Sequence, residues 1–174
     1  MLKNKISNLK VKIIRHFFSA NKWVNYLGVS FGERCKFNKE ISFGSEPYLT
    51  TIGDDFYCAA GVKFIPHDGS INVLRNLYKE LETADIFGRI TIGNNVFIGA
   101  NVIVLAGSNI GNNVIVGAGA VVKGVLESGY VYAGIPAKKI CSIEDYLKKN
   151  KSSIHHVKGL NKEKKKHYLI NSEL

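Results

Sequence analysis

The 174-residue chain is 45% hydrophobic and 22% charged, a composition that fits one folded domain and excludes a wholly disordered or collagen-like polymer. Folding a chain of this size buries about two-thirds of its unfolded surface, so the core needs neither disulfides nor a structural metal. The formal net charge of +10 resides in the ends: residues 1–28 carry six basic side chains and no acid, residues 29–141 carry ten of each sign, and residues 142–174 carry eight lysines against four acids.

The first 28 residues form a segment of their own. Ile6, Leu9, Ile13, Phe17 and Trp23 recur roughly on one face of a basic amphipathic helix, or of two, over residues 2–26. Lys10, Lys12 and Arg15 interrupt what would be the apolar core of a signal peptide, and no apolar run reaches the roughly 18 residues of a membrane span. The expected location is therefore the cytoplasm.

From Val29 to Cys141 the pattern has period six. Starting at Ile86, aliphatic residues recur at Ile92, Ile98, Val104, Ile110, Val116 and Val122, and a second small or apolar set follows four residues after each: Ile90, Val96, Val102, Ser108, Val114, Ala120 and Leu126. A helix repeats at 3.6 and a strand at 2, so the strict six indicates short strands joined by tight turns in a solenoid. One aliphatic side chain per hexad is expected to point inward, with Gly93, Gly99, Gly111, Gly117 and the pairs Asn94-Asn95 and Asn112-Asn113 at turn positions that require positive φ. The phase recurs upstream at Val29, Cys35, Ile41, Ile52, Cys58 and Phe64, with a short offset at residues 44–51 and a long interruption at residues 66–85, expected to leave the solenoid as a loop. Long excursions from a compact scaffold are usually functional. The rest of the repeat amounts to roughly five coils of three hexads. Cys35, Cys58 and Cys141 are too widely spaced for a disulfide framework or zinc ribbon and fit reduced thiols.

Residues 142–174 form the third part. Ser142-Ile-Glu-Asp145 has the pattern of a capping box and predicts a helix to about residue 150, and the Lys-rich remainder is expected to be frayed or to await a partner. The basic residues 1–28 then have two readings: a cap over the open first coil, which every solenoid requires, and a helix lying on the anionic inner face of the membrane. The first is favoured, and the two are compatible.

The runs Ile92-Gly-Asn-Asn-Val-Phe-Ile-Gly-Ala100, Ile110-Gly-Asn-Asn-Val-Ile-Val-Gly-Ala-Gly-Ala120 and Ala133-Gly-Ile-Pro-Ala-Lys138 resemble the hexapeptide-repeat acyltransferases. Phe43-Gly-Ser-Glu-Pro-Tyr48 followed by Phe64-Ile-Pro-His-Asp-Gly69 resembles, within them, the O-acetyltransferases of capsule and lipopolysaccharide biosynthesis. The resemblance implies an all-β solenoid, a left-handed parallel β-helix, assembled as a homotrimer with acetyl-CoA in the cleft between subunits. It also implies a catalytic role for His67, the one histidine of the repeat, which stands where the register breaks. Acetyl transfer to a hydroxyl needs a base that titrates near neutrality, and imidazole is such a base; the alternative is a turn-capping loop histidine.

Glu46 and Asp68 are candidate helpers that orient His67 or bind a sugar hydroxyl, although Asp68 before Gly69 is equally a turn former. Tyr48 is a candidate to stack on a sugar ring. For the acyl donor, the resemblance places the backbone N–H of Ala100 at the thioester oxyanion, Ala118 along the pantetheine arm, Lys123 and Lys138 at the phosphates and Pro136 over the adenine. Lys123-Gly-Val125 departs from the usual Thr-Lys-Asp run, which leaves Lys123 between a phosphate ligand and a solvated charge. Carbonic anhydrases built on such repeats bind zinc through three histidines, and this repeat has only His67, so no metal is expected.

The resulting expectation is an acetyl-CoA-dependent O-acetyltransferase acting on a sugar hydroxyl of a surface polysaccharide or its precursor. An amino-sugar N-acetyltransferase and an antibiotic O-acetyltransferase are the alternatives on the same fold. A non-catalytic scaffold binding polyanions through its ends is the remote one, and neither a motif nor the neutral middle supports nucleic acid as a partner.

Overall fold

Six-residue spacing becomes geometry by sending successive short strands to three different sheets. In the computed structural model, which describes residues 18–172, the chain visits a first, a second and a third sheet in turn and then returns to the first. The first sheet stacks Ser30–Phe31, Thr50–Ile52, Ile90–Ile92, Asn109–Ile110 and Val125–Leu126 in parallel. The second stacks Tyr57–Cys58, Val96–Ile98, Val114–Val116 and Tyr130–Ala133, and the third stacks Lys63–Ile65, Ile103–Leu105 and Val121–Val122. Ile92 pairs with Ile110, Ile98 with Val116 and Val104 with Val122, an advance of eighteen residues per coil in this stretch.

Two side chains per hexad face inward, not one. Ile90 and Ile92, Val96 and Ile98, Val102 and Val104, Val114 and Val116, and Ala120 and Val122 are all at most 2% exposed. Strand side chains alternate with period two, so residues at both sides of an outward one point in. Each buried Val or Ile contributes about 1.5–3 kcal/mol from burial. After the excursion the inward series resumes at Ile90. Ile86, which shares its spacing, is 37% exposed and belongs to the end of the excursion.

Gly93, Gly99, Gly111 and Gly117 act through close approach, not through positive φ. Left-handed positions of the repeat fall instead at Asn95, Asn101 and Asn113 and at other glycines, among them Gly107, Gly119 and Gly124. A Cβ on Gly93 would meet Asn112 Oδ1 at 2.5 Å. That oxygen accepts from Asn94 N–H at 2.8 Å, just as Asn94 Oδ1 accepts from Asp54 N–H at 2.8 Å and Ser128 Oγ from Asn112 N–H at 2.8 Å. A ladder of side-chain acceptors thus runs up one corner of the coil, and glycine leaves it room.

The scaffold is closed at both ends. Over Ala20–Tyr26 a helix places Trp23 and Val24, 7% and 0% exposed, and Asn21 Nδ2 donates to Cys35 O at 2.7 Å. Val24 belongs to the core cluster, so this part of the N-terminal segment caps the first coil; Ile6, Leu9, Ile13 and Phe17 of the expected amphipathic face lie outside the described residues. At the other end the parallel winding stops, and Lys138–Ser142 pairs antiparallel with Tyr130–Ala133. Cys35, Cys58 and Cys141 are free thiols, and burial raises the first two above the ordinary thiol range.

The excursion expected as a loop contains a helix, Ile71–Leu77, and a 3-10 turn, Lys79–Leu81. Ile71, 6% exposed, is the buried residue of this helix, whose other apolar side chains, Val73, Leu74 and Leu77, are exposed. The second compact unit begins at Glu144. The helix Ile143–Asn150 matches the capping-box expectation. The Lys-rich remainder is helical over Lys162–Asn171, in place of the frayed segment expected, because Asn161 Oδ1 accepts from Lys164 N–H at 2.9 Å and caps it. Among the described residues no helix is long and apolar enough to cross a membrane.

Candidate active site

The site forms where the third sheet hands over to the first. Ser42 bridges to Lys63 in parallel, a separation of twenty-one residues, and the same offset sets Glu46 beside His67. Two features bring them into contact. Phe43 stacks on Phe64 in the core at 4.9 Å between ring centroids, and Gly44 turns at φ 67°, a left-handed conformation that favours glycine. A Cβ on Gly44 would lie 3.2 Å from Pro66 Cδ and 3.4 Å from His67 Cε1.

His67 Nδ1 lies 2.8 Å from Glu46 Oε2. A carboxylate only accepts, so Nδ1 carries the proton and donates it, which leaves the Nε2 lone pair free. Ser45 Oγ donates to the same Glu46 oxygen at 2.9 Å and lies 3.3 Å from His67 Nδ1. The Glu46 side chain is 18% exposed and that of His67 36%, so the carboxylate is the more enclosed partner and the imidazole the more accessible one. Asp68 takes the turn-forming role: its Oδ1 accepts from Ser70 N–H at 2.9 Å. That bond, with smaller contributions from Lys123 and His67, holds its carboxyl below the ordinary aspartate range.

A cavity of about 240 Å³ opens beside these groups, lined by Glu46, His67, Asp68, Arg75, Ile86 and Phe87 among others. Tyr48 is 64% exposed and is not among its lining residues. Ser45, Arg75, Asp85 and Phe87 also line the cavity with no role expected from the sequence, and Ile86, expected to face the core, lines it as well. Ser45 adjoins Glu46 in a motif already singled out, whereas nothing local to Arg75 or Phe87 marks them.

The other candidates fall on different edges of the prism. Ala100 and Ala118 occupy equivalent turns between the second and third sheets, one coil apart. A Cβ on Gly99 would meet Ala118 N at 2.5 Å, so small residues let adjacent coils close here. Among the described residues the Ala100 N–H has no hydrogen-bond acceptor, while Ala100 O accepts from Gly119 N–H at 2.8 Å. Lys123 is exposed and lies on the corner of His67, two coils on. That corner is shortened: Ile110 pairs with Leu126, sixteen residues on, which is the structural counterpart of the altered Lys123-Gly-Val125 run. Pro136 and Lys138 are exposed where the chain turns back into the antiparallel closing strand.

Residues 89–124 match the bacterial transferase hexapeptide (six repeats) family. The protein CapG of Staphylococcus aureus is 45% identical to the chain over 168 residues, spanning 95% of each. A galactoside acetyltransferase solved in complex with coenzyme A is similar in fold, with a TM-score of 0.62 at 22% identity over 84% of each chain. A hexapeptide-repeat acetyltransferase from Vibrio cholerae, solved with acetyl coenzyme A, has a TM-score of 0.57 at 20% identity, covering 77% of this chain and 84% of that one.

Proposed function

From the chain's membership of the bacterial hexapeptide-repeat transferases, we propose that it is an acetyl-CoA-dependent O-acetyltransferase acting on a sugar hydroxyl of a surface polysaccharide or its precursor. The observation that carries the reading is the Glu46–His67 pair at 2.8 Å, with the Nε2 edge free beside a cavity. The similarity to the Staphylococcus aureus protein CapG, and the coenzyme A and acetyl coenzyme A bound to the structural neighbours, support the choice of substrates.

The chemistry follows from these groups. His67 Nε2 takes the proton of the acceptor hydroxyl as its oxygen attacks the thioester carbonyl carbon. Glu46 holds the imidazole in the tautomer that accepts at Nε2 and stabilises the imidazolium that forms. The Ala100 N–H meets the oxyanion of the tetrahedral intermediate, which collapses with cleavage of the C–S bond. The proton on His67 passes to the departing thiolate, and the products are the acetyl ester and CoA. Ala118 flanks the pantetheine arm, Lys123 and Lys138 meet phosphates and Pro136 covers the adenine.

In this reading the working form is a homotrimer with the left-handed winding of the family. Within one chain His67 and Ala100 lie on different edges, so a complete site draws them from neighbouring copies. The outward faces also differ. Thr51, Thr91 and Asn109 make the first sheet polar outside, whereas Tyr57, Phe97 and Ile115 stack in register on the second, with Tyr57 and Phe97 rings 5.4 Å apart. An apolar stripe of that kind is what a partner copy covers.

Incubation with acetyl-CoA and a panel of glycans, followed by CoA release and mass analysis of the acceptor, tests the function. Acceptor-dependent CoA release with a mass gain of one acetyl group is expected. Absence of transfer to every glycan overturns the reading.

A further inference from the structure

The neck of the excursion brings to His67 a second group of side chains that the transfer chemistry leaves unused. Asp68 N–H donates to Ile86 O at 2.9 Å and Gly88 N–H to Pro66 O at 2.8 Å, pairing His67 antiparallel with Phe87. Phe87 therefore lines the same cavity while 52% exposed, an aromatic ring with no place in the core. From the helix Ile71–Leu77, Arg75 donates through Nε to Ala84 O at 2.7 Å and through Nη2 to Asp85 Oδ1. These bonds pin the helix to the returning chain. Among the described residues they also leave Arg75 Nη1 and Asp85 Oδ2 without a partner, a charged donor and a charged acceptor in one cavity wall, with side chains 28% and 54% exposed.

We propose that Arg75, Asp85 and Phe87 form the acceptor wall of the site and select an uncharged pyranose. The C–H face of the sugar ring lies on Phe87. Of two neighbouring hydroxyls, one accepts from Arg75 Nη1 and the other donates to Asp85 Oδ2, a pairing that matches a vicinal diol. A further hydroxyl then stands at His67 Nε2. The cavity carries the carboxylates of Glu46, Asp68 and Asp85, and its one guanidinium is already paired with Asp85, so a sugar bearing its own carboxylate meets like charge. The assignment of this wall to the acceptor rests on the acetyltransferase reading; its capacity for a neutral sugar ring does not.

The experiment measures binding of methyl glucoside, methyl galactoside, methyl N-acetylglucosaminide and methyl glucuronide to the full chain by saturation-transfer NMR, with coenzyme A binding followed by calorimetry. At least one neutral pyranoside is expected to bind, and the glucuronide about tenfold more weakly. Phe87→Ala, at an exposed side chain, and Asp85→Asn, at constant shape, are each expected to weaken pyranoside binding about tenfold and to leave coenzyme A binding unchanged. Failure of the wild-type chain to bind any pyranoside, equal binding of the glucuronide, or variants that bind as the wild type does would each overturn the proposal. A chain that shows this sugar selectivity but does not bind coenzyme A upholds the acceptor wall and sinks the acetyltransferase reading. CoA binding with sugar binding indifferent to both variants does the reverse.

Discussion

Glu46 Oε2 and His67 Nδ1 stand 2.8 Å apart because residues twenty-one positions distant occupy adjacent coils at the same corner. The contact commits one imidazole nitrogen and leaves the other to the cavity. In the proposed reaction His67 acts through Nε2, with its ring held by a carboxylate from the coil beneath.

His67→Ala is expected to lower kcat by about 10²- to 10⁴-fold, the usual loss for a general base, while the fold persists because the side chain is 36% exposed. Glu46→Gln is expected to lower kcat by at least about tenfold with the KM for acetyl-CoA unchanged, since Gln can hold the ring less well and cannot stabilise the imidazolium. Near-normal turnover of the first variant would place the base elsewhere.

Asp68 carries a pH signature of its own. Its carboxyl is held below the ordinary aspartate range chiefly by the Ser70 N–H, so its contribution to stability is complete above the unfolded value and is lost as the pH falls through the lower, folded one. The Tm difference between wild type and Asp68→Asn is therefore expected to be constant above about pH 5 and to narrow below about pH 4. A gap that widens toward acid contradicts the assignment.

Gly93→Ala tests the role of close approach. Its Cβ would lie 2.5 Å from Asn112 Oδ1, and the ladder cannot yield without losing the bond to Asn94 N–H. The expected cost is about 1–3 kcal/mol, a fall in Tm of about 2–4 °C for each kcal/mol. An unchanged Tm would mean that the corner adjusts freely.

Thr50 offers a change in the opposite direction. The residue is 0% exposed, and its Oγ1 has no hydrogen-bond partner among the described residues. Thr50→Val keeps the shape and removes a desolvated hydroxyl, so thermal unfolding should show a gain of about 1 kcal/mol. A loss of stability would indicate that the hydroxyl is satisfied in solution.

Phe97→Glu places a charge in the middle of the apolar stripe of the second sheet, between Tyr57 and Ile115. Light scattering is expected to show a trimer for the wild type and a monomer without transferase activity for the variant. An active monomer would show that one chain supplies the whole site.

The sequence by itself determined the solenoid, because a strict period of six over Ile92 to Val122 can be satisfied only by strands that return to the same phase every third hexad. It singled out His67 and Glu46 as candidates, each in a motif whose resemblance to known acyltransferases is local and contiguous. Tertiary structure alone decided the rest. Both inward sets share the core because strands alternate with period two, and Gly93 and Gly111 proved to be spacers for an acceptor ladder whose members come from successive coils. Ile86 left the core series for the cavity because the antiparallel pairing of His67 with Phe87 ends the excursion before the coil resumes. Arg75, Asp85 and Phe87 carry no local signal: they line one cavity only because backbone bonds at the neck close a loop of some twenty residues on His67. Contacts of that range depend on which coil meets which, and register between coils is fixed by packing in three dimensions and not by the order of residues along the chain.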